Sequence, residues 1–228
     1  MVAFAWLGGV AFVAALASLA YFYAIVLAVP APAGIGIARA MVIDIVLFVA
    51  FATHHSLLAR ARAKRWVTRI VPARAERTLY VWVASVLTIA MCALWQPLPG
   101  WYYETDGWSR ALLWALQAAG LLLVVAAARA IDVWDLAGIR QASERANGSE
   151  IKAVGPFRYV RHPIYLGWMM LVFAAPAMNA NRLLFAIVSS AYLILAIPWE
   201  EKSLVAVHGD RYRDYQRMVR WRILPGVW

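Results

Sequence analysis

Five long stretches of this chain contain no Asp, Glu, Lys or Arg: residues 1–38, 78–103, 111–128, 163–181 and 183–199. Crossing the hydrocarbon core takes roughly 20 consecutive apolar residues in a helix. Stretches of this length and composition constrain the fold more than any other feature. With 64% hydrophobic and only 15% charged residues, the chain has too little polar surface to cover a soluble domain of its length. It reads as a polytopic membrane protein.

Length and hydropathy place spans over residues 3–29, 39–59, 78–95 and 109–131. The link Pro30-Ala31-Pro32-Ala33-Gly34 is a turn-former between the first two. Two further apolar legs, 163–178 and 183–199, flank Asn179-Ala180-Asn181-Arg182. Each is about 25 Å long at the helical rise, as two spans or as a hairpin dipping into the bilayer. The expected fold is an all-α membrane helix bundle: four spans, a carboxyl-terminal helical hairpin and a cytoplasmic tail. It is expected to form a single integral membrane domain over 1–228, with a four-span bundle in 1–131 and a cofactor-binding hairpin and tail in 132–228. Trp6, Trp66, Trp95, Trp101, Trp108, Trp134 and Trp199 fall near the predicted span ends, as interfacial belts require.

The formal charge of +10 is not spread like a nucleic-acid surface. Arg60, Arg62, Lys64, Arg65, Arg69, Arg74 and Arg77 occupy one connector. Lys202, Arg211, Arg213, Arg217, Arg220 and Arg222 occupy the tail, and Gln96–Ser109 carries only Glu104 and Asp106. Cytoplasmic loops collect Lys and Arg, so the chain is expected in the bacterial inner membrane with both termini on the cytoplasmic side, the connector touching anionic lipid. No basic region precedes the first run, which argues against a cleaved signal peptide. Cys92 is the single cysteine and reads as a buried thiol. The histidines and Cys92 lack zinc-ligand spacing. No Gly-x-Gly-x-x-Gly follows a strand-like run, so neither a metal nor a Rossmann cofactor domain is expected.

The chemistry is expected where the chain enters its last apolar legs, at Gly155-Pro156-Phe157-Arg158-Tyr159-Val160-Arg161-His162-Pro163-Ile164-Tyr165-Leu166-Gly167. Gly155-Pro156 marks a turn, and Pro163 suits the first turn of a helix. Arg161 and His162 then stand at a helix entrance, which favours anions. Tyr165 projects from the same side as His162. Antiparallel legs bring Glu200 and Glu201 back to these cations. Cations on one wall and carboxylates on another suit a zwitterion such as the amino-acid end of S-adenosylmethionine, with its sulfonium near an aromatic face.

Residues 153–225 resemble the carboxyl-terminal region of the isoprenylcysteine carboxyl methyltransferase and phospholipid methyltransferase superfamily. The pattern of residues 155–167, the pair Glu200-Glu201, and Gly209, Tyr212, Tyr215, Val219 and Pro225 carry the resemblance. The front half is similar to bacterial methanethiol S-methyltransferase-like members through His55-Ser56-Leu57-Leu58-Ala59-Arg60, Lys64-Arg65-Trp66, Thr68-Arg69, Pro72 and Glu76-Arg77. Asp135-Leu136-Ala137-Gly138-Ile139-Arg140-Gln141 adds a further segment, and Arg140-Gln141 is a candidate cap. His54 stands where an amide is expected and Ala137 replaces a bulkier aromatic, two departures that bear on acceptor size.

The resemblance implies methyl transfer from S-adenosylmethionine to a small thiol or lipophilic acceptor at the cytoplasmic face. It implies Glu201, Arg161 and His55 as catalytic groups. Val154, Gly155, Tyr159, Arg161, His162, Pro163, Tyr165, Leu166, Glu200 and Glu201 are implied to bind the cofactor. Two alternatives are an NADPH-dependent membrane reductase of the sterol-reductase type and a non-enzymatic accessory membrane protein.

Ionisable residues inside spans are expensive and usually functional. His55 has a substrate-side and a structural reading, both open from sequence, and His54 shares them. Asp44 and His55 lie eleven residues apart, about 16 Å along a helix. Direct pairing is not expected, and Asp44 reads as a buried hydrogen-bonded group.

Overall fold

The computed structural model describes residues 2–58, 61–131 and 153–228. Arg60, Trp134 and the Asp135–Gln141 segment lie outside them. Among the described residues the chain forms two compact units, one of residues 2–101 and 179–184, the other of 102–131, 153–178 and 185–228.

The first unit holds α1 (Val2–Tyr21), continued by a π-helical turn over Phe22–Val26, then α2 (Ile37–Leu58), α3 (Ala61–Val67) and α4 (Ala73–Leu94). Both α1 and α2 pack on α4. Lipid-facing positions such as Leu7, Val10 and Val13 are exposed, as expected of helices whose outer face meets hydrocarbon. The basic connector, read from sequence as a loop, contains the short helix α3 and the first turn of α4.

Polar side chains close the loops at the α1–α2 end of this unit. Asn179 donates from Nδ2 to the Leu27 and Ala28 carbonyls at 2.8 and 3.2 Å. Those carbonyls follow the π-helical turn, where the α-helical ladder has ended. The Asn181 side chain accepts from the Leu98 N–H at 2.9 Å and donates to the Leu98 carbonyl at 3.3 Å. Asp44, fully buried, accepts the Gln96 N–H at 2.7 Å. Backbone groups beside hydrocarbon have no water to turn to, so each such bond is needed.

In the second unit, apart from the strand-end residues Trp101 and Asn179 that count with the first, β1 (Trp101–Glu104) pairs with β2 (Ala177–Asn179). α5 (Gly107–Ile131) packs along α6 (Pro163–Phe173). Then come α7 (Ala180–His208), whose first residues belong to the first unit, and α8 (Asp210–Met218). The α5–α6 crossing is close because glycine meets glycine. A Cβ on Gly120 would stand 2.6 Å from the Gly167 carbonyl oxygen, and the converse distance is the same. Gln117 donates from Nε2 to the Leu171 carbonyl at 2.7 Å, near the end of α6. Trp168 Nε1 donates to Ser189 Oγ at 2.9 Å and ties α6 to α7.

Among the described residues five helices have the length and composition to cross a membrane: Ala3–Val26, Ile37–Leu58, Ala75–Leu94, Gly107–Ile131 and Ala180–His208. The first four match the expected spans. The last two legs differ from an even hairpin. The first is a helix of only 11 residues, Pro163–Phe173, about 16 Å long and too short to cross. It stops before Ala174-Ala175-Pro176, and the Pro176 carbonyl accepts from both the N–H and the hydroxyl of Thr105 at 2.9 and 2.8 Å. The second leg is longer than expected, a helix of 29 residues that runs through Pro198 to His208.

Candidate functional site

The site residues of the second unit gather where α6 begins and α7 passes Pro198. Val154 is extended, and Gly155 turns the chain at φ 55° into a short 3-10 turn, Gly155–Arg158. A left-handed φ favours glycine. Arg161 and His162 then form a strand-like pairing with the tail: the Arg161 N–H donates to the Trp221 carbonyl at 2.9 Å, and the His162 N–H to the Arg222 carbonyl at 2.8 Å. His162 caps α6, with Pro163 at its first position. The N–H groups of Tyr165 and Leu166 donate to the His162 carbonyl at 3.1 and 3.2 Å.

Glu201 is the hub. Its Oε1 lies 2.6 Å from Arg161 Nε and 3.2 Å from His162 Nε2. Its Oε2 accepts from Gln216 Nε2 at 3.2 Å and stands 3.6 Å from Arg222 Nε. Arg161 also donates from Nη1 to the Val219 and Arg220 carbonyls at 2.8 and 2.7 Å. Both side chains of the Arg161–Glu201 pair are only 7% exposed. Their charges compensate each other, and their remaining polar atoms hold the tail.

Glu200 lies alongside and is open, its side chain 43% exposed. The Tyr165 hydroxyl donates to Glu200 Oε2 at 2.5 Å, and His162 Nδ1 stands 3.8 Å from the same oxygen. The Tyr165 ring stacks on the His162 imidazole at 5.2 Å between centroids. One carboxylate is thus enclosed and saturated, and its neighbour stands at the surface beside an aromatic pair.

The inner face of α8 supports this arrangement. Tyr212, Tyr215 and Val219 form a buried cluster, and the Tyr215 hydroxyl donates to the Phe157 carbonyl at 2.8 Å. Burial pushes the Tyr215 hydroxyl up to about 12, and it raises that of Tyr212 further, with Glu201 adding to the effect.

The spatial meeting expected of residues 161–162 and 200–201 is therefore present. Of the other candidates in this unit, Pro163 is buried, Leu166 is partly buried, and Val154 and Tyr159 are exposed. His55 belongs to the first unit. Its Nδ1 is 2.7 Å from the Tyr80 hydroxyl in a hydrogen bond, and its ring stacks on Phe51. Tyr80 also receives the His54 ring at 5.4 Å on one contact and the Arg77 guanidinium at 5.1 Å on another. Asp44 bonds to Gln96 rather than to His55. Sequence reasoning missed Gln216 and Arg222 as partners of Glu201. Helical spacing alone puts Gln216 on the face of Tyr212 and Val219, which was the available signal for it.

An exposed carboxylate, Glu200, beside the partly buried ring and hydroxyl of Tyr165 fits the ammonium and sulfonium groups of S-adenosylmethionine. Among the described residues no group of three or more His, Cys, Asp or Glu side chains is arranged to hold a metal.

A family model described as the isoprenylcysteine carboxyl methyltransferase family matches residues 112–206. The chain is 36% identical over 196 residues to methanethiol S-methyltransferase 2 of Bradyrhizobium diazoefficiens, covering 84% of this chain and 75% of that one. It is 38% identical over 198 residues to methanethiol S-methyltransferase of Mycobacterium tuberculosis, covering 84% and 80%. It is 26% identical over 194 residues to nurim of Bos taurus, covering 79% and 74%. No solved structure matches.

Proposed function

This chain belongs to the isoprenylcysteine carboxyl methyltransferase family, and from that premise we propose that it moves a methyl group from S-adenosylmethionine to a small thiol at the cytoplasmic face of a bacterial inner membrane. Its family and its apolar helices make it a membrane methyltransferase. Donor, acceptor and face are the proposal. Relatives named methanethiol S-methyltransferase support a small thiol, with a lipophilic acceptor as the alternative. The concentration of Lys and Arg in the 60–77 connector and the tail supports a cytoplasmic site with both ends inside.

One observation carries the reading: Tyr165 and His162 flank an exposed Glu200 while Arg161 and Glu201 neutralise each other behind it. When bound, the donor supplies an electrophilic methyl on a sulfonium. Glu200 is the carboxylate available to a ligand ammonium, with Tyr165 orienting it. Tyr165, stacked on the buried His162, presents an aromatic face to a cation. Val154, Gly155, Tyr159, Pro163 and Leu166 form the turn and helix entrance around them. Arg161 and Glu201 hold the wall in place, so that the reacting groups meet without a search over orientations. His55, its ring held by the Tyr80 hydroxyl within the first unit, is the further catalytic group of this reading. Transfer would form a sulfur–methyl bond in the acceptor as the donor's sulfur–methyl bond breaks, with neutral S-adenosylhomocysteine as leaving group and the thiol proton passing to water.

The test is purified protein with methyl-labelled S-adenosylmethionine and a panel of small thiols, prenylcysteine and phosphatidylethanolamine. Label appearing in a small thioether is the expected result. Labelling of none of them, or thermal stabilisation by NADPH and not by S-adenosylhomocysteine, would reject the reading.

A further inference from the structure

Beyond the site, the segment that follows α8 has an unusual combination of properties. Trp221, Leu224, Val227 and Trp228 are exposed apolar side chains, Val227 to 75%, while Ile223 between them is buried and anchors the segment. The backbone of this segment is largely satisfied from within. The N–H groups of Arg222, Ile223 and Leu224 all donate to the Trp228 carbonyl at 3.0–3.1 Å, and those of Val227 and Trp228 donate to the Leu224 carbonyl at 3.1 Å. Pro225 has no N–H to satisfy, and Gly226 makes the reversal at φ 81°. Internal pairing of this kind lets backbone leave water.

The position of the segment is also set. Its carbonyls at Trp221 and Arg222 pair with the N–H groups of Arg161 and His162. His162 directly precedes Pro163, where the charge-free run 163–181 begins. The exposed apolar side chains therefore sit at the level where the chain passes from polar to apolar surroundings, which is where tryptophans collect in membrane proteins. Charge adds a direction. Residues 209–228 carry five arginines and two aspartates. Asp210 and Asp214 already pair with Arg213 and Arg217 at 2.7 and 2.9 Å. Arg211, in the first turn of α8, and Arg220, next to Trp221 in the chain, are exposed.

We infer that residues 221–228 form a membrane foot, with Trp221, Leu224, Val227 and Trp228 seated in the interfacial layer of an anionic phospholipid bilayer and Arg211 and Arg220 on its headgroups. The foot is built on residues that also pair with Arg161 and His162, so lipid contact steadies the wall of the site. The inference requires the chain to be an integral membrane protein and does not depend on which methyl acceptor it uses.

The experiment is spin-label accessibility on the full chain. Cys92, the single cysteine, is replaced by alanine, Val227→Cys carries a nitroxide, and the protein is placed in nanodiscs of phosphatidylcholine alone or with an equal part of phosphatidylglycerol. The expected result is a label more accessible to oxygen than to a water-soluble nickel chelate in the phosphatidylglycerol discs. The effect should weaken in high salt, and Arg220→Gln should lower the ratio of inserted to water-exposed label roughly fivefold, the factor for one basic residue at an anionic surface. A label accessible to nickel in both lipids would overturn the inference. Equal, salt-insensitive burial in both would overturn it too, by removing the anionic preference. So would dipolar coupling between labels without lipid contact, which would seat a second copy there.

Discussion

Arg161 Nε stands 2.6 Å from Glu201 Oε1, with both side chains almost wholly enclosed. Removing either partner strands a buried charge, which in general costs about 3–5 kcal/mol. Glu201→Ala and Arg161→Ala should each lower the thermal midpoint of the purified protein by many degrees and abolish methyl transfer. Arg161→Lys keeps the charge but cannot reach Glu201, Val219 and Arg220 together from one planar group. It should recover only part of the stability. Full stability in Glu201→Ala, read by thermal unfolding in detergent, would contradict the role given to this pair.

Tyr165 and Glu200 make the opposite case, because Glu200 is open to solvent. Tyr165→Phe deletes one hydrogen bond to a carboxylate, about 1.5–3 kcal/mol for a charged partner at the upper end. At this half-exposed carboxylate water replaces most of that bond in the folded protein, and the lost orientation of Glu200 should instead appear as roughly tenfold weaker S-adenosylhomocysteine binding by calorimetry. Thermal stability without ligand should change little. A variant that unfolds instead would make this bond structural.

Gly120 and Gly167 meet backbone to backbone, with 2.6 Å between an added Cβ and the facing carbonyl. No rotamer change relieves such a clash, so α5 and α6 must separate. Gly120→Ala and Gly167→Ala should each destabilise the protein by about 1–3 kcal/mol, the usual range for overpacking. Gly34→Ala, where nothing lies within 4 Å of an added Cβ, is the control and should leave the unfolding midpoint unchanged.

Alkali should loosen the tail. The Tyr215 hydroxyl is raised by burial from 10.0 to about 12. A group whose folded value is raised supports folding fully below the unfolded value and loses that support as pH climbs through the folded one. Stability contributed by Tyr215 is therefore intact up to about pH 10 and lost between there and about pH 12. Tyr212, raised in the same sense, begins to lose its share at the same onset. Unfolding midpoints measured from pH 8 to 12 should fall beyond pH 10, and the fall should be shallower in Tyr215→Phe.

The four long front spans were legible because hydropathy is a local property: a run such as 1–38 or 111–128 has nowhere to go but the bilayer. What stayed open was also local in origin. Residues 163–178 are apolar throughout, so composition cannot distinguish a crossing helix from the 11-residue helix that ends at Phe173. Pro176 was the overlooked stop signal, since the residue before a proline leaves the helical region. The strand pair beyond it depends on Trp101–Glu104, far away in sequence.

Sequence alone determined that this chain is a membrane protein with cations at the entrance of one helix and carboxylates near the end of another, because residue type and spacing carry that information. Which carboxylate is enclosed and which is exposed was decided only by tertiary structure. Glu200 and Glu201 are chemically identical neighbours. Successive residues on a helix point about 100° apart, and here one turns toward Arg161, Gln216 and Arg222 while the other turns toward Tyr165 and solvent.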